Sequence, residues 1–252
     1  MINLKYYLVS FDRCDHYAVS KLTPEERNDV ICYAVNPAVF KLISAPIKRV
    51  NEWEFKWYSN RYQVLQYYEY GTIVHCVKNP ELLEGLTHVG LLHYDVFFPP
   101  NSVNDIKKEL EIEPNVIYYN TLRQNNQLFF TQDQLKHIVE FMNKKLAMNM
   151  DANKIWNSEW VSEALSITPI NIYKKFGEYI LSSQHEIEAI LNGNKWGIMD
   201  YVKHRPCGFM ERMWGIYLIS LDLPLKKMPI IHDWDRYQHA HLKDKENFLK
   251  KF

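Results

Sequence analysis

His88-Val89-Gly90-Leu91-Leu92-His93-Tyr94-Asp95-Val96-Phe97-Phe98 is an apolar run interrupted by one acid and ended by Pro99-Pro100. A run this continuous reads as a strand covered on both faces, the kind found inside an α/β sheet. The prolines mark its end. Asp95 makes the segment informative, because an unpaired buried carboxylate costs roughly several kcal/mol. It needs a partner, a metal, or exposure at the end of the strand. In an extended chain His93 and Asp95 point to the same face, where they can share a divalent cation, with Asp95 as a hard oxygen ligand for Mg²⁺ or Mn²⁺. The competing reading is an Asp that pairs with a basic side chain at the sheet edge.

Outward from this segment the chain alternates between strand and helix patterns. Residues 6–11 form a short apolar run that stops at Asp12-Arg13-Cys14-Asp15, and residues 30–35 form another that stops at Asn36-Pro37. Between them Thr23-Pro24-Glu25-Glu26 reads as a helix start, with Thr as cap and Pro at the first position. Strand, helix, strand implies a parallel crossover. Apolar residues at 58, 62, 65 and 68 predict one helix packed on the sheet. Residues 116–119 read as a strand, and Leu135, Ile138, Val139, Met142 and Leu146 mark an amphipathic helix. Residues 149–180 show no clear period. Ser182-Ser183-Gln184-His185-Glu186 reads as the opening of a short helix closed by Asn192-Gly193. An ordered loop is expected over 193–208, a buried helix over 209–221, a short strand and a polar turn over 228–234, and then a charged tail. The expected fold class is α/β, with helices flanking a central sheet.

With 252 residues the chain can bury one sizeable core, and one domain is expected. Lys plus Arg equals Asp plus Glu at 30 each, so no overall field draws the protein to nucleic acid or an anionic membrane. Aromatic residues make up 14%, a large supply of flat side chains for stacking on rings. Cys14, Cys32, Cys76 and Cys207 stand too far apart for the close pairs of zinc or redox sites and are expected to be reduced. The N-terminus reaches Asp12 and Arg13 too soon for a signal peptide, and no stretch approaches the ~20 apolar residues of a membrane span. A cytoplasmic protein without a transmembrane segment is expected, or a catalytic domain whose anchor lies elsewhere. There is no Gly-x-Gly-x-x-Gly, P-loop or Gly-x-Ser-x-Gly, which removes support from dinucleotide oxidoreductase, P-loop kinase and α/β-hydrolase readings.

Three further constellations bear on chemistry. Cys207-Gly208-Phe209-Met210-Glu211-Arg212-Met213-Trp214 puts Glu211 in what reads as the first turn of a buried helix, where the helix N-terminus and apolar surroundings pull its pKa in opposite directions. That tension suits a general base near neutral pH; the alternative is a structural acid paired with Arg205 or Arg212. His232 ends the last expected strand, from which it can return to the cleft edge beside Asp95. Arg13, Tyr58, Arg61 and Tyr62, with Arg205 and Trp196 later, offer guanidinium groups for phosphate oxygens and rings for a base or sugar.

Thr87-His88-Val89-Gly90-Leu91-Leu92-His93-Tyr94-Asp95, Asn60-Arg61-Tyr62-Gln63 and Cys207-Gly208-Phe209-Met210-Glu211-Arg212-Met213-Trp214 together resemble the DUF4422 group of capsular-polysaccharide glycosyltransferases and, more loosely, GT-A enzymes at large. The segments 87–98 and 204–217 carry the close match. The resemblance implies a single GT-A-like domain with a mixed, mostly parallel sheet, residues 1–120 serving the donor and 121–252 the acceptor and catalysis. It implies a nucleoside-diphosphate sugar as donor, a glycan acceptor, and a divalent cation, Mn²⁺ or Mg²⁺. Asp95 corresponds to the last acid of the Asp-x-Asp motif, with His93 where the first acid stands, and His232 to a late metal-binding His. Glu211 corresponds to the base of inverting members. Donor contacts are expected from Phe11, Asp12, Arg13, Tyr58, Arg61, Tyr62, His93, Tyr94 and Asp95, and acceptor contacts from Trp196, Asp200, Arg205 and Trp214. The rival readings are an inactive GT-A-fold carbohydrate- or nucleotide-binding protein and a metal-dependent phosphohydrolase or nucleotidyltransferase.

Overall fold

The computed structural model describes residues 1–10, 14, 16–35, 44–124, 130–193 and 206–232. The strands are β1 (Leu4–Ser10), β2 (Val30–Ala34), β3 (Lys48–Asn51), β4 (His88–His93), β5 (Val96–Phe97), β6 (Ile117–Arg123), β7 (Trp160–Pro169), β8 (Leu225–Lys227) and β9 (Ile231–His232). The helices are α1 (Pro24–Arg27), α2 (Arg61–Val64), α3 (Glu69–Lys78), α4 (Ser102–Ile112), α5 (Gln132–Leu146), α6 (Ala152–Trp156), α7 (Ile170–Asn192) and α8 (Pro206–Ile219).

Seven strands form one mixed, mostly parallel sheet in the order β3-β2-β1-β4-β7-β6-β8, with β5 and β9 as a separate ribbon. β1 pairs in parallel with both β2 and β4, while β7 runs antiparallel to β4 and β6. Period-2 alternation divides each central strand between two cores. Tyr7, Val9, Ile31, Tyr33, Val89 and Leu91 join one, with α3, α5, α7 and α8. Tyr6, Leu8, Val30, Cys32 and Leu92 join the other, with α4. Gly90 is required on that second face, since a Cβ there would lie 2.6 Å from Cδ1 of Tyr6.

Strand order reverses between β1 and β4. β1 is followed by β2 and β3 on one side, and β4 lies on the other. In open α/β sheets the crevice at such a reversal, at the carboxyl ends of the strands, is where ligands bind. Val9 pairs with His93, so β1 and β4 end side by side there.

Several expectations hold. The Thr23 capping box forms with Glu26, all five marker residues of α5 are buried, and the four cysteines are thiols, three of them buried. No helix among the described residues is long and apolar enough to cross a membrane.

Others are corrected. The run 88–98 is two strands, because the chain turns at Tyr94 and Asp95. The expected helix over 57–70 shrinks to the four residues of α2, since Gln66 (φ 57) and Tyr68 (φ 47) adopt left-handed backbone that no helix accommodates. A separate helix, α3, follows. The short helix opening at Ser182 is the C-terminal half of the 23-residue α7. α8 begins at Pro206, inside the expected loop, which moves Glu211 out of the first turn. Residues 194–205 and the tail from 233 lie outside the described residues.

Candidate active site at the carboxyl end of β4

The turn at Tyr94-Asp95 leads into β5, which pairs antiparallel with β9 so that Val96 faces His232 and Phe97 faces Ile231. This ribbon returns the late histidine to the early acid. His232 Nε2 lies 3.1 Å from Asp95 Oδ2, and His93 Nδ1 lies 3.8 Å from Asp95 Oδ1. The two imidazole rings stand nearly perpendicular, centroids 5.8 Å apart. One ligand atom from each of His93, Asp95 and His232 falls within 4.8 Å of the others, close enough to hold one metal ion. The side chain of Asp95 is only 4% exposed, and its Oδ1 has no hydrogen-bond partner among the described residues. A buried anionic oxygen left this way is costly; a cation is the partner its surroundings fit.

Further groups complete the cluster. Glu69, at the start of α3, places Oε1 3.1 Å from His93 Nε2. Glu163 of β7 places Oε2 3.2 Å from His232 Nδ1, and its carboxylate also accepts from Thr121 Oγ1 at 3.0 Å and Arg123 Nη2 at 2.8 Å. The register of β6 against β7 shifts between Tyr119 and Thr121, and opposite this irregularity Glu163 (φ 71) and Ala164 (φ 53) take left-handed backbone. Bulges of this sort re-aim a side chain beside active sites. Non-glycine residues there carry a cost of about 1–3 kcal/mol each.

Glu211 supplies the restraint. Its Oε1 accepts from the Glu163 backbone N–H at 2.8 Å and from Ser162 Oγ at 3.1 Å, and its Oε2 lies 3.4 Å from Arg212 Nη1. Close packing of α8 on β7 brings it there. A Cβ on Gly215 would sit 2.2 Å from the Val161 carbonyl oxygen, and Trp214 Nε1 donates to Ser166 Oγ at 3.0 Å.

Ionisation follows from these contacts. Burial alone would lower the pKa of His232, but the carboxylates of Asp95 and Glu163 outweigh it and raise the value to about 9. Burial would raise Glu163, and hydrogen bonds from His232 and Arg123 bring it down to about 2. Asp95 is likewise lowered by His232 and His93 against the effect of burial. His93 is raised, Glu69 overcoming burial. In the metal-free protein, therefore, an imidazolium at His232 bridges two carboxylates. A cation bound there would displace that proton.

The residues expected from sequence separate into groups. His93, Asp95 and His232 converge, and Glu211 lies against the backbone of Glu163 next to them. Tyr94, in the same turn, is 6% exposed. Tyr62 is sealed in the core at 2% exposure, its hydroxyl donating to Gln184 Oε1 at 2.7 Å, and so has no face for a ligand. Trp214 is similarly enclosed at 1%, its ring packed at a tilt against Phe176 and Tyr217, which corrects its expected role as a sugar platform. Arg61 is engaged by Glu188, and Tyr58 leans on His75 with ring centroids 5.3 Å apart. Phe11, Asp12, Arg13, Trp196, Asp200 and Arg205 lie outside the described residues. Glu69, Thr121, Arg123 and Glu163 were not anticipated. Glu163 carries the signal that singled out Asp95, one acid within an apolar strand, but in a stretch whose period is broken by the bulge.

No family model matches the chain, so the resemblance to the DUF4422 group has no such match behind it, and no curated protein matches. Among solved structures the chain is similar to the apo form of WbbM, a bifunctional glycosyltransferase, with 12% identity and a TM-score of 0.54, over 91% of this chain and 45% of that one. The chain therefore spans less than half the length of that structure, and at this identity the likeness is one of fold, a GT-A-like α/β sheet. Similarity extends to the Mn/GDP form of core-mannan synthase A (CmsA/Ktr4) from Aspergillus fumigatus, with 10% identity and a TM-score of 0.45, over 91% of this chain and 74% of that one. A score that low carries no argument.

Proposed function

We propose that the protein is a glycosyltransferase that moves a sugar from a nucleoside-diphosphate sugar to a hydroxyl of a glycan acceptor. One observation carries this reading: His93, Asp95 and His232 converge at the carboxyl end of β4, where strand order reverses, around a buried carboxylate oxygen with no hydrogen-bond partner among the described residues. The fold shared with WbbM supports it. His93, Asp95 and His232 would hold a divalent cation, which when bound would supply positive charge against the departing nucleoside diphosphate. Phe11, Asp12 and Arg13, which follow the end of β1 in sequence, are assigned to the nucleotide, and Trp196, Asp200 and Arg205 to the acceptor.

In the reaction the acceptor oxygen bonds to the anomeric carbon, the bond from that carbon to the diphosphate oxygen breaks, and the acceptor proton passes to Glu211. Oε1 of Glu211 is committed to β7, so Oε2, which accepts the longer 3.4 Å contact from Arg212 Nη1, is the receiving atom. Its side chain is 25% exposed, which leaves it reachable. Attack from the face opposite the leaving group inverts the anomeric centre.

The test is thermal shift and transfer with UDP-, GDP- and dTDP-sugars, each with and without Mn²⁺. A donor at 100 times its dissociation constant adds ~2.7 kcal/mol of stability, about 5–10 °C for a chain of this size. Asp95→Ala should lose both the shift and transfer while staying folded. No shift with any donor, or undiminished turnover in Asp95→Ala, refutes the reading.

A further inference from the structure

Both histidines of the trio are backed, on the ring nitrogen turned away from Asp95, by a glutamate. Glu69 meets Nε2 of His93 at 3.1 Å, and Glu163 meets Nδ1 of His232 at 3.2 Å. The opposite nitrogen of each ring, Nδ1 of His93 and Nε2 of His232, is turned toward Asp95. The glutamates come from distant elements, α3 and β7, yet play matching parts about one carboxylate.

Each is also delivered by unusual backbone. Glu69 follows Tyr68 at φ 47, and Glu163 itself stands at φ 71. Left-handed backbone at bulky residues persists only where the surroundings enforce it. For Glu163 they do so closely: Glu211 takes its N–H, and Thr121 and Arg123 hold its carboxylate. Two carboxylates from separate elements, aimed at the outer nitrogens of two inward-turned imidazoles, are more than an ion-pair network needs.

We propose that Glu69 and Glu163 are positioning residues that fix His93 and His232 for metal ligation, and that the resulting centre takes a first-row transition-metal dication in preference to Mg²⁺ or Ca²⁺. This deepens the cation site of the proposed transferase and rests on that reading. A carboxylate on the second ring nitrogen fixes the tautomer and strengthens the donor nitrogen. Two imidazole donors suit transition metals, whereas Mg²⁺ and Ca²⁺ seek oxygen ligands. Mn²⁺ meets both the imidazoles and the single hard carboxylate of Asp95.

The test is calorimetric titration of the chelator-treated full chain with MnCl₂ and with MgCl₂, in the absence of nucleotide. Wild type should bind Mn²⁺ at least tenfold more tightly than Mg²⁺, and Glu69→Gln and Glu163→Gln should each weaken Mn²⁺ binding by about 10–100-fold. Variants that bind like wild type, equal affinity for the two ions, or no Mn²⁺ binding by wild type overturns the proposal. Should Glu69→Gln not fold, Glu163→Gln carries the test, together with the nitrogen chemical shifts of the His232 ring in metal-free protein at a pH above about 9, where the ring is neutral and its tautomer is defined. A changed tautomer in Glu163→Gln supports positioning, and an unchanged one overturns it. The two failures are separable, since Mn²⁺ binding weakened in both variants with no nucleotide-sugar binding by wild type supports the positioning and sinks only the transfer reading.

Discussion

Glu211 sits between two demands. One oxygen holds the left-handed turn of β7, and the other is assigned the acceptor's proton. Glu211→Gln keeps an oxygen for the Glu163 N–H and removes the base, so transfer should fall by about 10²–10⁴-fold while donor affinity stays unchanged. Donor titration beside single-turnover transfer checks this, and loss of donor affinity would instead make Glu211 solely an anchor. At this scale the sequence marked four residues of the cluster, because a lone acid in an apolar strand, a helix-borne acid and a strand-end histidine are visible one at a time. Their glutamate backers were hidden, since Glu69 matters only once β4 lies beside the start of α3, a contact made by tertiary packing.

Among the elements, α8 and β7 position the site through direct contact of helix and strand backbone at Gly215. In Gly215→Ala the new Cβ must displace the Val161 carbonyl or the Trp160 ring, 2.2 and 2.7 Å away. Overpacking of this kind costs about 1–3 kcal/mol, so the urea midpoint should drop. Gly208→Ala is the matched control: its nearest obstacle, the Arg212 guanidinium, is 3.6 Å off, and alanine's helix propensity should leave stability equal or slightly higher. Equal midpoints for the two variants would refute the close contact. The amphipathic α5 and the doubly buried β1 and β2 were legible because their periods are unbroken and polar turns bound them. β7 and α7 were not: the strand contains a bulge, and Pro169 ends it where Ile170 begins the helix, leaving no polar linker between the two patterns. The helix expected over 57–70 failed for the reverse reason, a good apolar stripe interrupted by left-handed backbone that a stripe does not reveal.

For the whole molecule, the buried charges set a pH window. His232, raised to about 9, contributes stability that is complete below its ordinary value of about 6.5 and lost as pH rises through about 9. His93, also raised, acts in the same direction. Glu163, lowered to about 2, contributes stability present above the usual carboxylate range and lost as pH falls toward 2. His88, held neutral by burial, adds a decline below about 6.5. Metal-free protein should therefore be most stable near pH 6.5 and weaken on both sides. Melting temperatures in chelator should show this, and His232→Gln should flatten the alkaline limb; an undiminished alkaline decline in that variant would refute the assignment.

In a chain made from its N-terminus, Asp95 exists 137 residues before His232 does. The parallel half of the sheet can pair while the last ligand is still unmade, and closing so long a loop comes at an entropic cost before any contact rewards it. Completion of the candidate ion site is thus a late event in the life of the polypeptide. A product truncated ahead of β9 can keep the parallel strands and yet lack the imidazole that meets Asp95, so cation uptake at this candidate site would report that β9 has been made and has closed on β5.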